Sequence, residues 1–190
     1  MKALLVYETV FGNTEQIARA VAEGLSRRLP VQTLDVGRAP LTLGSDIGLI
    51  VVGGPTHVFG LSRADRRTDG HADTPADSRA DSLATDGANG SVVTHGRGLK
   101  TWLEGLHVGA SGVAAAAFDT RVNRPRLPGS AARAADRQMR RQGMHPIVLP
   151  HSFHVRRTTG PLADGESEQA RQWGEQVAVE LLHGLARARS

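Results

Sequence analysis

Tyr7-Glu8-Thr9-Val10-Phe11-Gly12-Asn13-Thr14-Glu15 joins an apolar run to the first amphipathic stretch of the chain. The first N–H groups of a helix lack internal partners, and its dipole favours negative charge, so a turn of this kind builds an anion site. Thr9 and Thr14 add hydroxyl donors and Asn13 an amide donor, while Gly12 lets backbone approach a ligand closely. No Lys follows the glycine, so the triphosphate loop is excluded, and the dinucleotide glycine pattern is absent. The chemistry expected is one phosphate held by neutral donors.

Two further stretches carry unusual residue types. Gly53-Gly54-Pro55-Thr56-His57-Val58-Phe59-Gly60 offers rigid backbone, aromatic surface and polar groups, and Phe118-Asp119-Thr120-Arg121 adds a ring, a carboxylate and a guanidinium. A flat heteroaromatic ring with a phosphate tail needs such elements.

The elements that must position these loops alternate. Residues 2–7 read as a buried strand, and 13–28 as a helix whose Ile17, Val21 and Leu25 repeat every four positions. Residues 31–36 alternate like a second strand, and 46–53 are nearly all apolar, as in a strand covered on both faces. Residues 99–106 form a short helix, 112–118 a fourth strand and 130–142 a helix bearing Arg133, Arg137, Arg140 and Arg141. That arginine row reads as a solvated face or as a docking patch for an acidic partner. A last strand region at 146–155 and a helix over 166–187 complete the pattern. Five such alternations imply a parallel sheet with helices on both faces. Ligands in such sheets sit beyond the carboxyl ends of the strands, where strand order reverses.

Between about 63 and 98 the pattern stops. Asp65, Asp69, Asp73, Asp77 and Asp81 recur every four residues, which on a helix would stack like charges, and Gly70, Pro75 and Gly87 oppose a helix. Calcium-loop spacing is absent. The stretch is expected to be a mobile surface insertion in a single domain, with a lid or partner-docking role as the alternative.

With 190 residues there is enough chain for one substantial core. The absence of Cys excludes disulfides and thiolate chemistry, so redox work needs a bound cofactor. No apolar run reaches the roughly 18 residues of a membrane span, and no secretory signal is visible, so a cytoplasmic location is expected. The net charge of +4 lacks a basic run interleaved with aromatics, which argues against nucleic acid.

The three loops together resemble those of the flavodoxin family. The first follows its phosphate-loop pattern from Leu5-Val6-Tyr7 through Thr9, Gly12, Thr14 and Ala18 to Val21, with Val10 as a departure. Gly53-Gly54-Pro55-Thr56-His57, Phe118-Asp119-Thr120-Arg121 and the run from Gly160-Pro161-Leu162 to Gly165-Glu166 are similar to a subgroup of that family. The resemblance implies a flavodoxin-like three-layer α/β/α sandwich, its five-stranded parallel sheet in the order 2-1-3-4-5. It implies FMN as cofactor, with Thr9, Val10, Phe11, Gly12, Asn13 and Thr14 at the phosphate. Pro55, Thr56, His57, Phe59 and Gly60 would lie along the isoalloxazine, and Phe118, Asp119 and Arg121 would close its other side. Phe59 and Phe118 read equally as core aromatics, Asp119 with Arg121 as a local ion pair, and His57 as a wall or a general acid.

The activity implied is electron transfer to a redox partner protein or small-molecule acceptor. Arg121 near the ring would favour the reduced anion and make the potential less negative. The alternatives are an FMN-dependent oxidoreductase, such as a quinone reductase or a protoporphyrinogen oxidase-like enzyme, and a domain that has lost FMN and serves in interaction or regulation.

Overall fold

The computed structural model describes residues 1–56, 98–109, 112–122 and 129–188. His57, Phe59 and Gly60, and all of the expected insertion except Gly98, lie outside the described residues. In chain order the elements are β1 (Lys2–Tyr7), α1 (Asn13–Ser26), β2 (Val31–Asp35), β3 (Ile47–Pro55), α2 (Leu99–Glu104), β4 (Ala114–Val122), α3 (Ala131–Arg141), β5 (His145–Pro146), β6 (His151–Val155) and α4 (Glu166–Arg187). A 3₁₀ turn, Val36–Arg38, follows β2.

The sheet runs β2-β1-β3-β4-β5, with β6 also on β4, and its pairings are parallel. This is the expected order, with one difference. The fifth position is filled by two short pieces, β5 against Ala114 and Ala115 and β6 against residues 118–122. Pro146 and Pro150 bracket the break, and a proline gives a sheet no N–H donor.

Alternation along the strands divides the core. Ala3, Leu5, Leu49, Val51, Ala116, Phe118 and Phe153 face α1 and α4. Leu4, Val6, Ile50, Val52, Ala115 and Ala117 face α2 and α3, where Trp102, Leu103 and Met139 cover them. Phe118, Phe153 and Trp173 meet edge to face, with ring centroids 5.9 to 6.1 Å apart.

Two strands run further than the residue pattern indicates. β3 continues through Gly53 and Gly54 to Pro55, and β4 continues through Asp119, Thr120 and Arg121 to Val122. Gly53 is required by packing: a Cβ there would stand 2.0 Å from Cζ of Phe118. Asp119 and Thr120 stay in a buried strand because each has a hydrogen-bond partner.

Helices α1 and α4 cross at a pair of glycines. A Cβ on Gly24 would lie 2.0 Å from the Arg171 carbonyl oxygen, and one on Gly174 would lie 2.3 Å from that of Val21. Alanine favours a helix over glycine by about 1 kcal/mol, so the two backbones must touch for glycine to be the better residue. Gly24→Ala is therefore expected to destabilise the fold by about 1–3 kcal/mol. Gly184→Ala, where a Cβ meets nothing within 4 Å, is expected to stabilise it by up to about 1 kcal/mol. Urea unfolding of both variants checks the opposite signs.

Candidate functional site

The carboxyl ends of β1, β3, β4 and β6 open on one cleft. It is lined by Val10, Phe11, Asn13, Thr14, Pro55, Thr56, Thr120, Arg121, Val122, Val155 and Thr158. Register explains the meeting: Pro55 stands beside Thr120, and Arg121 beside His154.

The start of α1 forms the cleft's polar end. Gly12 caps the helix in the left-handed region at φ +78°, and having no side chain it supplies no capping oxygen. The N–H groups of Asn13, Thr14 and Glu15 find no acceptor among the described residues; Gln16 N–H is the first to bond back, to the Gly12 carbonyl at 3.0 Å. Thr9 is buried and its Oγ1 has no partner among the described residues. The Oγ1 atoms of Thr14 and Thr120 are 2.8 Å apart. Two hydroxyls share that one bond, so one hydroxyl proton remains for a further acceptor. Asn13 is held from behind by Gly160 (φ +104°), where a Cβ would come within 2.6 Å of Asn13 Oδ1.

The neighbouring helix starts are capped differently. Glu8, buried at the end of β1, accepts the Leu99 N–H at the start of α2 at 3.0 Å. Asp119, fully buried on β4, accepts Ser130 Oγ–H at 2.6 Å and Ala132 N–H at 3.1 Å at the start of α3. Thr56 Oγ1 accepts the Ala131 N–H at 3.0 Å. An acid at a helix start is favoured by the dipole, and these two are built into the chain.

These contacts place the expected site residues. Thr9, Val10, Phe11, Gly12, Asn13, Thr14, Pro55, Thr56 and Arg121 come together at or beside the cleft. Phe11 offers only its backbone N–H as a donor; the residue is 46% exposed and its side chain lines the cleft as an apolar wall. Phe118 does not reach the cleft, since its ring lies across Gly53 in the α1/α4 core. Asp119 is turned to the opposite face and spends one oxygen on α3; its Oδ1 has no partner among the described residues. Arg121 Nη1 donates to the Gly129 carbonyl at 3.2 Å. His57, Phe59 and Gly60 lie outside the described residues.

Val122, Val155 and Thr158 line the cleft from outside the three loops, and Thr120 lines it from within the third, where only Phe118, Asp119 and Arg121 were expected. Strand alternation carries the signal for Thr120: with Phe118 facing α1, the residue two places on must face it as well. Two titrations are shifted near this end of the sheet. Burial, with Glu15 and Asp35 nearby, raises the Tyr7 phenol, and burial holds His151 below its ordinary value of 6.5.

Comparison with protein-family models and with curated protein sequences finds no match. Solved structures do match in shape. A flavodoxin from the domain Archaea is 19% identical, covers 96% of this chain and is itself covered completely, with a TM-score of 0.62. This chain has the flavodoxin fold. A WrbA-like flavodoxin from Agrobacterium tumefaciens is 15% identical over 96% of this chain and 98% of its own, with a TM-score of 0.58. Rubredoxin oxygen:oxidoreductase from Desulfovibrio gigas is 16% identical at a TM-score of 0.60; it matches 97% of this chain with 37% of its own length. Among the described residues no helix is long and apolar enough to cross a membrane.

Asp119 joins the cleft edge to α3 without facing the cleft. Asp119→Ala leaves the start of α3 without its carboxylate and is expected to lower unfolding free energy by about 2–4 kcal/mol. Serine at 130 is kept in this variant, so a change below about 0.5 kcal/mol in urea unfolding contradicts the role.

Proposed function

We propose that the chain binds FMN at this cleft and works as an electron-transfer flavoprotein. The observation that carries the reading is the start of α1, where unbonded N–H groups, a buried hydroxyl without a partner and a spare hydroxyl proton converge. These are neutral donors suited to a phosphate dianion. Val10, Phe11, Pro55, Val122 and Val155 supply apolar surface beyond the donors, as a flat ring requires. FMN, when bound, supplies one- and two-electron redox chemistry that no side chain here provides.

Each residue has a separable task. Thr9 and the N–H groups of Asn13 and Thr14 hold phosphate oxygens, with Thr14 and Thr120 sharing one proton between them and donating the other. Phe11 and Pro55 exclude water from the ring. Arg121, half-buried at the cleft, places a positive charge where a reduced flavin would carry a negative one, which favours reduction.

FMN added to the purified protein should remain through desalting, with its visible bands shifted from those of free FMN. Loss of both FMN and FAD would leave an interaction or regulatory domain. Reduction of the bound flavin by NAD(P)H without a separate reductase would make the protein an oxidoreductase.

Thr9→Val separates binding from stability. Removing a buried hydroxyl that has no partner is expected to stabilise the ligand-free protein by about 1 kcal/mol. The same change removes a hydrogen bond to a charged phosphate and should weaken FMN about tenfold or more. Fluorescence quenching and thermal unfolding measure the two effects, and an unchanged FMN affinity contradicts the assignment. Arg121→Ala should make the midpoint potential more negative by a few tens of millivolts, the scale of about 1 kcal/mol for a solvent-screened charge. A redox titration showing no shift, or an upward one, removes Arg121 from the account.

A further inference from the structure

The outward side of α3 carries a row of arginines. Arg133, Arg137, Arg140 and Arg141 are exposed, while Ala131, Ala132, Ala135 and Met139 face the core. At four-residue spacing Arg133, Arg137 and Arg141 follow one side of the helix and span about 12 Å.

Elsewhere among the described residues many exposed cations sit beside carboxylates, and those that do not, Arg38, Arg157 and Arg187, lie apart from one another in the chain and form no row. Lys2 meets Asp46, Arg19 meets Glu15, Arg27 and Arg28 meet Glu175, Arg156 meets Asp164 and Arg171 meets Glu23. On α3, Asp136 pairs Arg140 at 2.9 Å, whereas Arg133, Arg137 and Arg141 stand in no ion pair among the described residues. Arg140 and Arg141 lie in the last turn, where the dipole favours a cation. Arg133 lies in the first turn, where the dipole opposes one and where the helix carries no acid. Helix stability therefore accounts for one end of the row and not the other.

The row also starts at the cleft. The Ala131 N–H rests on Thr56, and Arg121 reaches the Gly129 carbonyl just before α3. We infer that this side of α3 docks an acidic protein whose carboxylates form a row of matching spacing, and that docking brings the partner to the cleft rim. That the partner exchanges electrons rests on the FMN reading; that it is acidic does not. Nucleic acid fits less well, because α3 carries no aromatic side chain to stack a base and the row is short.

The test compares two triple variants of equal charge change: Arg133→Glu with Arg137→Glu and Arg141→Glu, and Arg28→Glu with Arg38→Glu and Arg187→Glu. The probe is fluorescein-labelled polyglutamate, titrated at low salt by anisotropy against ligand-free and FMN-treated protein. The α3 triple should weaken binding by about tenfold or more and the other triple by less than about threefold, with or without FMN. Should the α3 triple fail to fold by circular dichroism, the corresponding three Arg→Gln changes are expected to keep the ranking at smaller amplitude. Equal weakening by both triples would reduce the effect to net charge and overturn the proposal. So would tighter, α3-dependent binding of duplex DNA. Retention of FMN is read separately in the visible spectrum, so failure of the flavin reading leaves this result intact.

Discussion

The chain supplies carboxylate acceptors for the starts of α2 and α3, whereas α1 and α4 each open on a left-handed glycine. Glu8 closes the start of α2, and Asp119 with Ser130 and Thr56 closes the start of α3. The start of α1 is left to Gly12, which has nothing to offer its N–H groups. An unbonded donor away from water is expensive, and so is a buried hydroxyl without a partner. Thr9 adds such a hydroxyl at the same place. The fold tolerates these groups together in a position where an anion would satisfy them.

Everything around that point serves to hold it still. Phe118, lying across Gly53, locks β3 to β4 and fixes where Pro55 and Thr120 emerge. The close crossing at Gly24 and Gly174 seats α1 on α4, which sets the height of α1's first turn above the sheet. Gly160 presses the loop after β6 onto Asn13. The carboxylates that cap α2 and α3 face the other side of the sheet, so their charge is spent on helix starts. Buried acid thus stands near the start of α1 with its charge already engaged by helix N–H groups.

The order of elements was legible because its signals are local. Ile17, Val21 and Leu25 mark α1, the continuous apolar run marks β3, and Glu166–Arg187 has the bounds that its periodicity indicates. The polar start of α1 was legible for the same reason: its residues are consecutive. The β4 side of the cleft was not, because it depends on which face of a strand each residue takes. Phe-Asp-Thr-Arg reads as a loop of useful groups, yet it is strand. Its Phe is core, its Asp caps a helix, and Thr120 is the residue that meets Thr14. Polar residues inside a buried strand hide the strand from any hydrophobic pattern, since only their distant partners, Ser130 and Thr14, make the burial tolerable.

On the proposed reading the start of α1 holds a phosphate. Comparing the dissociation constants of FMN and riboflavin by fluorescence quenching tests it most directly, since the two ligands share the ring and differ in the phosphate. FMN is expected to bind tighter by at least about 100-fold, or ~2.7 kcal/mol. Equal affinity for the two ligands would contradict it.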